Sequence, residues 1–192
     1  DRARPARCRA VDDVDGGSSS CPHTTERDAG IRETGRPGAN MDDVTILALW
    51  ATPRTVSTAF ERMMIERRDH LVLDEPWSRA YYFGPERRST RFPLTFPEST
   101  FAAVEAGVLA AGSDRAVFVK DMAYHATPGI TDEALAAMSH TFLIRDPAAA
   151  LTSLQRRWPD ITDDEAGYRA QQELFERVVA VTGSCPPVID SD

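Results

Sequence analysis

The sequence predicts an α/β fold, with a parallel sheet of about five strands and helices on both of its faces. The first observation is the run VTILALW at residues 44–50, which stays apolar after Thr45, as buried parallel strands do. The second is the alternation of strand-like and helix-like segments from Met41 onward. The length of 192 residues favours one domain.

Short apolar runs bounded by turn residues predict the five strands. They lie at residues 44–50, 70–75, 115–121, 140–145 and 187–190. Apolar residues at helical spacing predict five helices between and after these runs. The helices span residues 57–68, 97–111, 131–138, 146–158 and 162–182. Residues 76–96 are predicted to form a long polar and aromatic connection.

Individual residues support three of these helices. Thr131 is placed to cap the third helix, and Pro147 takes the first helical position of the fourth, where its missing N–H costs nothing. The apolar residues of the first helix share one face that is predicted to point inward; they are Ala59, Phe60, Met63 and Met64.

The first 40 residues differ from the rest in composition. They contain no Leu, Met or aromatic residue, and their larger aliphatic side chains are only Val11, Val14 and Ile31. Such a segment cannot bury enough apolar surface to offset its ordering entropy. We therefore expect residues 1–40 to be disordered or translated from an upstream start, and residues 41–192 to form the domain. Because the chain stops just after its fifth strand, we expect that domain to lack C-terminal helices.

Composition argues against several classes of protein. The formal net charge of -8 disfavours a nucleic-acid partner, and no apolar run reaches the roughly 18 residues of a membrane span. Cys8, Cys21 and Cys185 fit neither a disulfide framework nor a zinc site, which favours a reducing, cytoplasmic location. The four histidines have no ligand spacing, so no metal is predicted.

Chemistry-bearing residues follow the predicted strands. In open parallel sheets, ligands bind beyond the carboxyl ends of the strands. The four candidate segments are Thr52–Thr58, Asp74–Glu75, Lys120 to His125, and Arg145–Asp146.

The first of these segments has the sequence ATPRTVSTAF. A helix that begins near Ser57 would direct unpaired N–H groups and its positive dipole end toward the loop. Arg54 adds a fixed charge, and Thr55, Ser57 and Thr58 add hydroxyl groups. The segment is either an anion-binding loop without glycine or an ordinary turn with a surface arginine. A Walker A motif is absent, which disfavours an ordinary ATP or GTP enzyme.

A second motif lies in FLIRDPAAALTSL, where Ser153 follows Arg145 by eight residues. Together with the earlier Pro-Arg loop, this pair resembles the sulfotransferases that use 3′-phosphoadenosine 5′-phosphosulfate. The resemblance covers residues 44–157 well and 187–190 loosely, and implies a P-loop NTPase-like, three-layer architecture. It further implies that the first loop, from Arg54 through Thr55, Val56 and Ser57 to Thr58, holds the 5′-phosphosulfate. Arg145 and Ser153 would hold the 3′-phosphate.

The resemblance also assigns catalytic roles. Glu75, in LVLDEPW, stands where relatives place the base, and the Glu-Pro-aromatic step is similar to bacterial small sulfotransferases. Lys120, the only lysine in the chain, stands where relatives contact the bridging oxygen, assisted here by Arg54. Read without the resemblance, Glu75 is a solvated residue and Lys120 pairs with Asp121 at the sheet edge. His125 is the alternative base, as in the cytosolic branch of the family, or a loop residue.

Two features bear on the loop and on the acceptor. Val56 stands where many relatives have glycine, and because a β-branched residue resists positive φ, we predict negative-φ geometry for this loop. The aromatic cluster of the 76–96 connection predicts either an acceptor pocket or core packing; its members are Trp77, Tyr81, Tyr82 and Phe83.

The function implied is transfer of a sulfuryl group from 3′-phosphoadenosine 5′-phosphosulfate, as co-substrate, to a hydroxyl or amine. The sequence leaves the acceptor open between a small molecule such as a phenol, a sugar or other carbohydrate, a lipid and a peptide, and the oligomeric state stays open. One alternative is a phosphotransferase with a degenerate phosphate loop, in which Asp74 or Asp121 binds magnesium. The other is a non-catalytic nucleotide-binding fragment.

Overall fold

A computed structural model describes residues 45–191 of the chain. The predictions for residues 1–40 and for Met41 lie outside this range. The described strands are β1 (Ile46–Ala51), β2 (Leu71–Asp74), β3 (Val117–Met122), β4 (Ser139–Ile144) and β5 (Val188–Asp190). The helices are α1 (Ser57–Arg67), α2 (Ser78–Phe83), α3 (Phe101–Asp114), α4 (Ala123–Ala126), α5 (Asp132–Ala136), α6 (Pro147–Gln155), α7 (Asp163–Ala166) and α8 (Tyr168–Thr182).

The five strands form one parallel sheet in the order β2-β3-β1-β4-β5. This confirms the predicted fold class. The chain places β2 and β3 on one side of β1 and then crosses to β4 on the other side, so the carboxyl end of β1 lies at the point where the strand order reverses. Ligands bind at this point in open α/β sheets. In the register, Ala51 at the end of β1 is paired with Met122 and with Leu143.

Side chains of β1 alternate between two apolar cores, one on each face of the sheet. Ile46, Ala48 and Trp50 belong to a cluster that includes residues of α3, α5 and α8. Leu49 and Ala51 belong to a second cluster, with residues of α1 and α2. The sheet is therefore covered on both faces, and the three-layer arrangement follows from a strand with no polar residue to present to water.

The helix predictions are confirmed in their main positions. α1 begins at Ser57, Thr131 caps α5 by accepting a hydrogen bond from the backbone N–H of Ala134, and Pro147 opens α6. α3 begins at Phe101 rather than at Pro97, because Thr100 is extended and caps the helix through the N–H of Ala103.

Three local predictions are wrong. The 76–96 connection contains helix α2, and the 162–182 segment is two helices, α7 and α8, rather than one. Gly167 separates these two with a φ of 81°, and a Cβ there would lie 2.9 Å from the Tyr124 ring. Ala59 and Met63, both predicted to face inward, are exposed, and of the predicted apolar face only Phe60 and Met64 belong to the core cluster.

Candidate active site

A cleft of about 940 Å³ opens at the carboxyl end of the sheet. This volume is at the upper end of the range of about 300–1,000 Å³ for small-molecule sites. The loops after β1 and β4 and the helices that follow them contribute four arginines to its lining, namely Arg54, Arg62, Arg145 and Arg157. Glu75 is the one acidic residue among the lining residues. The cleft is therefore cationic although the chain carries a net charge of -8.

Arg54 connects the two motifs of the predicted nucleotide site. Its Nε–H donates a hydrogen bond to Ser153 Oγ over 2.9 Å, and its backbone carbonyl accepts one from Arg145 Nη1 over 3.0 Å. The structure thus brings together three residues that come from the first strand end, the fourth strand end and helix α6. Arg54 and Arg145 line the cleft. Ser153 is not among the lining residues, but it is hydrogen-bonded to Arg54.

The hydroxyl groups of the first loop point in different directions. Ser57 and Thr58 line the cleft at the start of α1, where the helix dipole favours an anion. Thr55 is fully buried, and its Oγ1 donates to the carbonyl of Thr52 over 2.7 Å. The Thr55 side chain therefore folds the loop rather than facing the cleft.

The loop does not have the predicted negative-φ geometry. Arg54 has a φ of 69° and Val56 a φ of 55°, both left-handed. Left-handed geometry is costly for side chains with a Cβ, by about 1–3 kcal/mol per residue. The bonds of Arg54 to Ser153 and Arg145, and of Thr55 to Thr52, hold the loop in this shape. The prediction was wrong because it weighed the local preference of Val56 alone.

Glu75 is held in a third strained conformation. Its φ is 47°, in the left-handed region, although the following Pro76 favours extended geometry. Its backbone N–H donates to the carbonyl of Lys120 over 2.7 Å, and its carbonyl accepts bonds from the N–H and hydroxyl of Ser78 at 3.0 and 2.6 Å. The backbone is therefore fixed on both sides, and the side chain lines the cleft.

Lys120 lies beneath Glu75 and does not line the cleft. Its Nζ donates to Asp74 Oδ1 and Glu75 Oε1, both at 2.6 Å, and lies 3.6 Å from Glu61 Oε2. Burial disfavours its ammonium, but attraction to Glu75 and the hydrogen bonds to Asp74 and Glu75 outweigh this and raise the pKa of Lys120. The pairing with Asp121 considered from the sequence is replaced by these three carboxylates.

His125 is buried on the short helix α4 rather than lying in an open loop. Its Nδ1 lies 2.7 Å from Asp121 Oδ1, and Asp121 also accepts the backbone N–H groups of Trp77 and Met122. Burial raises the pKa of Asp121, while the hydrogen bond to His125 lowers it. Because each Asp121 oxygen already accepts a backbone N–H, Oδ2 from Trp77 and Oδ1 from Met122, we assign the donor role in the remaining contact to Nδ1 of His125. The Nε2 atom of His125 is buried and has no hydrogen-bond partner.

The predicted aromatic cluster divides between core and cleft. Trp77 is fully buried in the core, while Tyr82 and Phe83 line the cleft. Phe92 and Tyr124 complete what we call the aromatic wall, defined as Tyr82, Phe83, Phe92 and Tyr124. Burial raises the pKa of Tyr82 and of Tyr124, so both are neutral phenols.

The sequence did not single out several residues of the cleft. These are Arg62, Phe92, Met122, Arg157 and Trp158. Arg157 follows Ser153 by four residues. In the predicted helix this spacing places the two residues on the same side, so the sequence could have indicated Arg157. Phe92 carried no such signal, because it reaches the cleft through an irregular connection.

The described part of the chain, residues 45–191, lacks two kinds of feature. Within this range, no group of three or more His, Cys, Asp or Glu residues is arranged to hold a metal ion. Among the helices described there, none has the length and apolarity needed to cross a membrane.

Among the solved structures that the chain resembles are two that it matches over most of their length. One is the YorR protein of Bacillus subtilis in complex with phosphorylated GDP, at 13% identity and a TM-score of 0.47 over 76% of this chain and 85% of that one. The other is a gluconokinase from Sinorhizobium meliloti 1021, at 11% identity and a TM-score of 0.44 over 76% and 81%.

Sequence comparison finds a curated relative and a family. Branched-chain-amino-acid aminotransferase-like protein 1 of Arabidopsis thaliana is 22% identical over 160 residues, which are 79% of this chain but 28% of the relative. The family model described as a sulfotransferase domain matches residues 44–186. This range contains β1, the Arg54 loop, Glu75, Lys120 and both partners of Arg54. The chain therefore belongs to the sulfotransferase domain family.

Proposed function

We propose that the chain transfers a sulfuryl group from 3′-phosphoadenosine 5′-phosphosulfate to a hydroxyl or amine acceptor. The observation that carries this proposal is the position of Arg54 between Ser153 and Arg145. This contact joins the two segments that the family resemblance assigns to the two ends of the nucleotide. The donor carries negative charge at its 3′-phosphate, 5′-phosphate and sulfate, and four arginines line the cleft.

Each group has a role in the proposed site. Arg54, the hydroxyls of Ser57 and Thr58 and the N-terminus of α1 bind the phosphosulfate. Arg145 and Ser153 bind the 3′-phosphate, since a guanidinium matches the geometry of phosphate oxygens. Thr55 and Val56 contribute backbone shape, because the Thr55 hydroxyl is bonded to Thr52. Ser153 would exchange its bond from Arg54 for one to the ligand.

In the proposed reaction, the acceptor oxygen forms a bond to sulfur while the bond between sulfur and the bridging phosphate oxygen breaks. The acceptor proton moves to Glu75, and adenosine 3′,5′-bisphosphate leaves. Arg54 stabilises the charge that develops on the bridging oxygen. Lys120 holds the Glu75 carboxylate in place through a hydrogen bond. To reach the bridging oxygen, the Lys120 ammonium would have to break a hydrogen bond to Asp74 or Glu75.

We assign the base to Glu75 rather than to His125 on accessibility. Both side chains line the cleft, but that of Glu75 is 30% exposed, with Oε1 on Lys120, whereas that of His125 is 2% exposed. The Nε2 atom of His125 is buried, and the rings of Tyr81, Tyr82 and Tyr124 have centroids within 5.3 Å of its own. A base must reach the proton that it removes.

The test of this proposal is ligand-induced thermal stabilisation of the chain. Adenosine 3′,5′-bisphosphate at about a hundred times its Kd should stabilise the fold by about 2.7 kcal/mol, which raises Tm by roughly 5–10 °C. Adenosine 5′-phosphate should give a smaller shift. Arg54→Ala should abolish the shift, whereas Arg68→Ala, at the far end of α1, should leave it intact.

A larger shift with ATP and magnesium than with the bisphosphate would contradict the proposal and favour the phosphotransferase alternative. A chain that unfolds cooperatively but responds to neither nucleotide would instead support the non-catalytic alternative. Release of adenosine 3′,5′-bisphosphate from the phosphosulfate donor, dependent on an added acceptor, gives the direct measure of activity.

A further inference from the structure

The aromatic wall forms a continuous cluster in the lining of the cleft. The rings of Phe83 and Phe92 are stacked, with centroids 5.4 Å apart and an interplanar angle of 24°. Phe92 also meets the ring of Tyr82 edge-on at 5.1 Å. A surface of ring faces and edges binds flat apolar groups through dispersion and quadrupole contacts.

The hydroxyl groups on this surface are already engaged, whereas the Nε2 atom of His125, which also lines the cleft, has no hydrogen-bond partner. The hydroxyls of Tyr82 and Tyr124 share a hydrogen bond of 2.9 Å, and the hydroxyl of Ser78 donates to the Glu75 carbonyl over 2.6 Å. Beside the wall, the carboxylate of Glu75 remains available from the cleft. This side therefore offers few partners to a ligand that carries many hydroxyl groups.

The lining residues disfavour a sugar and an amine as acceptors. Residues 45–191 contain no asparagine, and none of their glutamines lines the cleft, although amide side chains commonly bind sugar hydroxyls in orienting pairs. A sugar packed on the wall would find the hydroxyls of Tyr82 and Tyr124 already bonded to each other. A protonated amine would meet four arginines and one glutamate, and is not a nucleophile in that form.

Building on the proposed function, we propose that the acceptor is a small phenol of one or two aromatic rings. Its ring packs against Phe92, Phe83 and Tyr82, and its hydroxyl lies beside Glu75. The phenolic oxygen forms the new bond to sulfur, its proton passes to Glu75, and the product is an aryl sulfate. A phenol loses its proton near pH 10, as tyrosine does, and so needs less help from a base than an alkyl alcohol.

The experiment measures the binding of 2-naphthol by its fluorescence, with and without adenosine 3′,5′-bisphosphate. The comparison ligands are decahydro-2-naphthol, which has the same carbon skeleton and hydroxyl but is not flat or aromatic, and methyl glucoside. We expect 2-naphthol to bind at least about five-fold more tightly than either, the scale of a specific aromatic contact. The affinities of the two non-fluorescent ligands are measured by their displacement of 2-naphthol.

A matched pair of variants identifies the surface. Phe92→Leu should weaken 2-naphthol binding by about three- to ten-fold, while Leu94→Ala, at an exposed position in the same connection and outside the cleft lining, should change it by less than about two-fold. Equal effects of the two variants would overturn the proposal, as would tighter binding of methyl glucoside or decahydro-2-naphthol. Binding of 2-naphthol is also measured in the absence of nucleotide. A loss of naphthol binding can therefore be distinguished from a loss of bisphosphate binding.

Discussion

The Nε–H of Arg54 donates to the hydroxyl of Ser153 across 2.9 Å, although 99 residues separate the two in the chain. The contact is possible because β1 and β4 are neighbours in the sheet, which brings the loop after β1 beside helix α6. The carbonyl of Arg54 accepts from Arg145 in the same region. The loop and the α6 segment therefore act as one unit in any ligand site at this edge.

The first prediction concerns Arg145 and the 3′-phosphate. Arg145→Ala should weaken binding of adenosine 3′,5′-bisphosphate by about 1.5–3 kcal/mol, roughly ten- to hundred-fold, because a charge-assisted contact is lost. Binding of adenosine 5′-phosphate should change little. Isothermal titration calorimetry with both ligands measures the difference.

Arg156→Ala is the control for this variant, since Arg156 is exposed at the end of α6 and does not line the cleft. It removes the same charge at the opposite end of α6 and should leave both affinities within about two-fold. Equal losses for the two ligands in Arg145→Ala would show that Arg145 does not recognise the 3′-phosphate.

The second prediction concerns strain in the loop. Val56 is 47% exposed and has a φ of 55°, so Val56→Gly removes little burial and relieves an unfavourable backbone conformation. The greater chain entropy of glycine offsets part of this gain, and the net stabilisation should be about 1 kcal/mol. Tm should rise by about 2–4 °C. Val56→Ala should lie between the two, and a Val56→Gly variant that melts below the parent chain would contradict the argument.

The sheet could be predicted from sequence because its signal is local. Each central strand is buried on both faces, so its sequence is an apolar run. Thr131 indicates the start of α5 because its hydroxyl can cap a helix, and Pro147 indicates the start of α6 because proline is favoured at the first helical position. The strand ends were predictable for the same reason. Once β1 and β4 were placed in one sheet, Arg54 and Arg145 had to lie at the same edge.

The remaining features depend on contacts between distant segments. The positive φ of Glu75 is imposed by its bonds to Lys120 and Ser78, and that of Val56 by the bonds that hold its loop to Ser153 and Arg145. The local preference of valine or of a pre-proline residue does not reveal such contacts. The break at Gly167 reflects the close approach of Tyr124 from α4. The pairing of Lys120 with Asp74 follows from their opposed positions on β3 and β2, which requires the strand order.

The third prediction is a pH dependence of stability. Arg91 donates two hydrogen bonds to Glu165, at 2.8 and 2.6 Å, and lies over the Trp158 ring at 4.8 Å. The hydrogen bonds from Arg91 lower the pKa of Glu165 below its usual 4.5. A lowered pKa means that the stabilisation is fully present above the unfolded-state value and is lost as pH falls through the folded-state value.

Glu165→Gln should therefore lower the free energy of unfolding at pH 7, on the order of 1.5–3 kcal/mol for hydrogen bonds to a charged group. The difference from the parent chain should shrink as pH falls below about 4.5, where the parent also loses the charge. Urea unfolding at pH 7, 5 and 3.5 measures it. Glu173→Gln, on the exposed side of α8, should show no such trend, and a constant difference in Glu165→Gln would exclude the ion pair as its cause.

The fourth prediction concerns the base, assayed with the acceptor that supports the fastest turnover. Glu75→Gln keeps the shape of the side chain and its bond to Lys120 through the amide oxygen, but removes its basicity. Turnover should fall by about a hundred-fold or more, while the affinity for adenosine 3′,5′-bisphosphate stays within about three-fold. Asp74→Asn, which alters the other carboxylate bonded to Lys120, controls for disturbance of that lysine and should reduce turnover far less.

His125→Gln removes the buried imidazole beside the aromatic wall. Normal turnover in Glu75→Gln together with its loss in a folded His125→Gln would place the base on the Asp121–His125 pair instead, and would require the buried Nε2 to become accessible during the reaction.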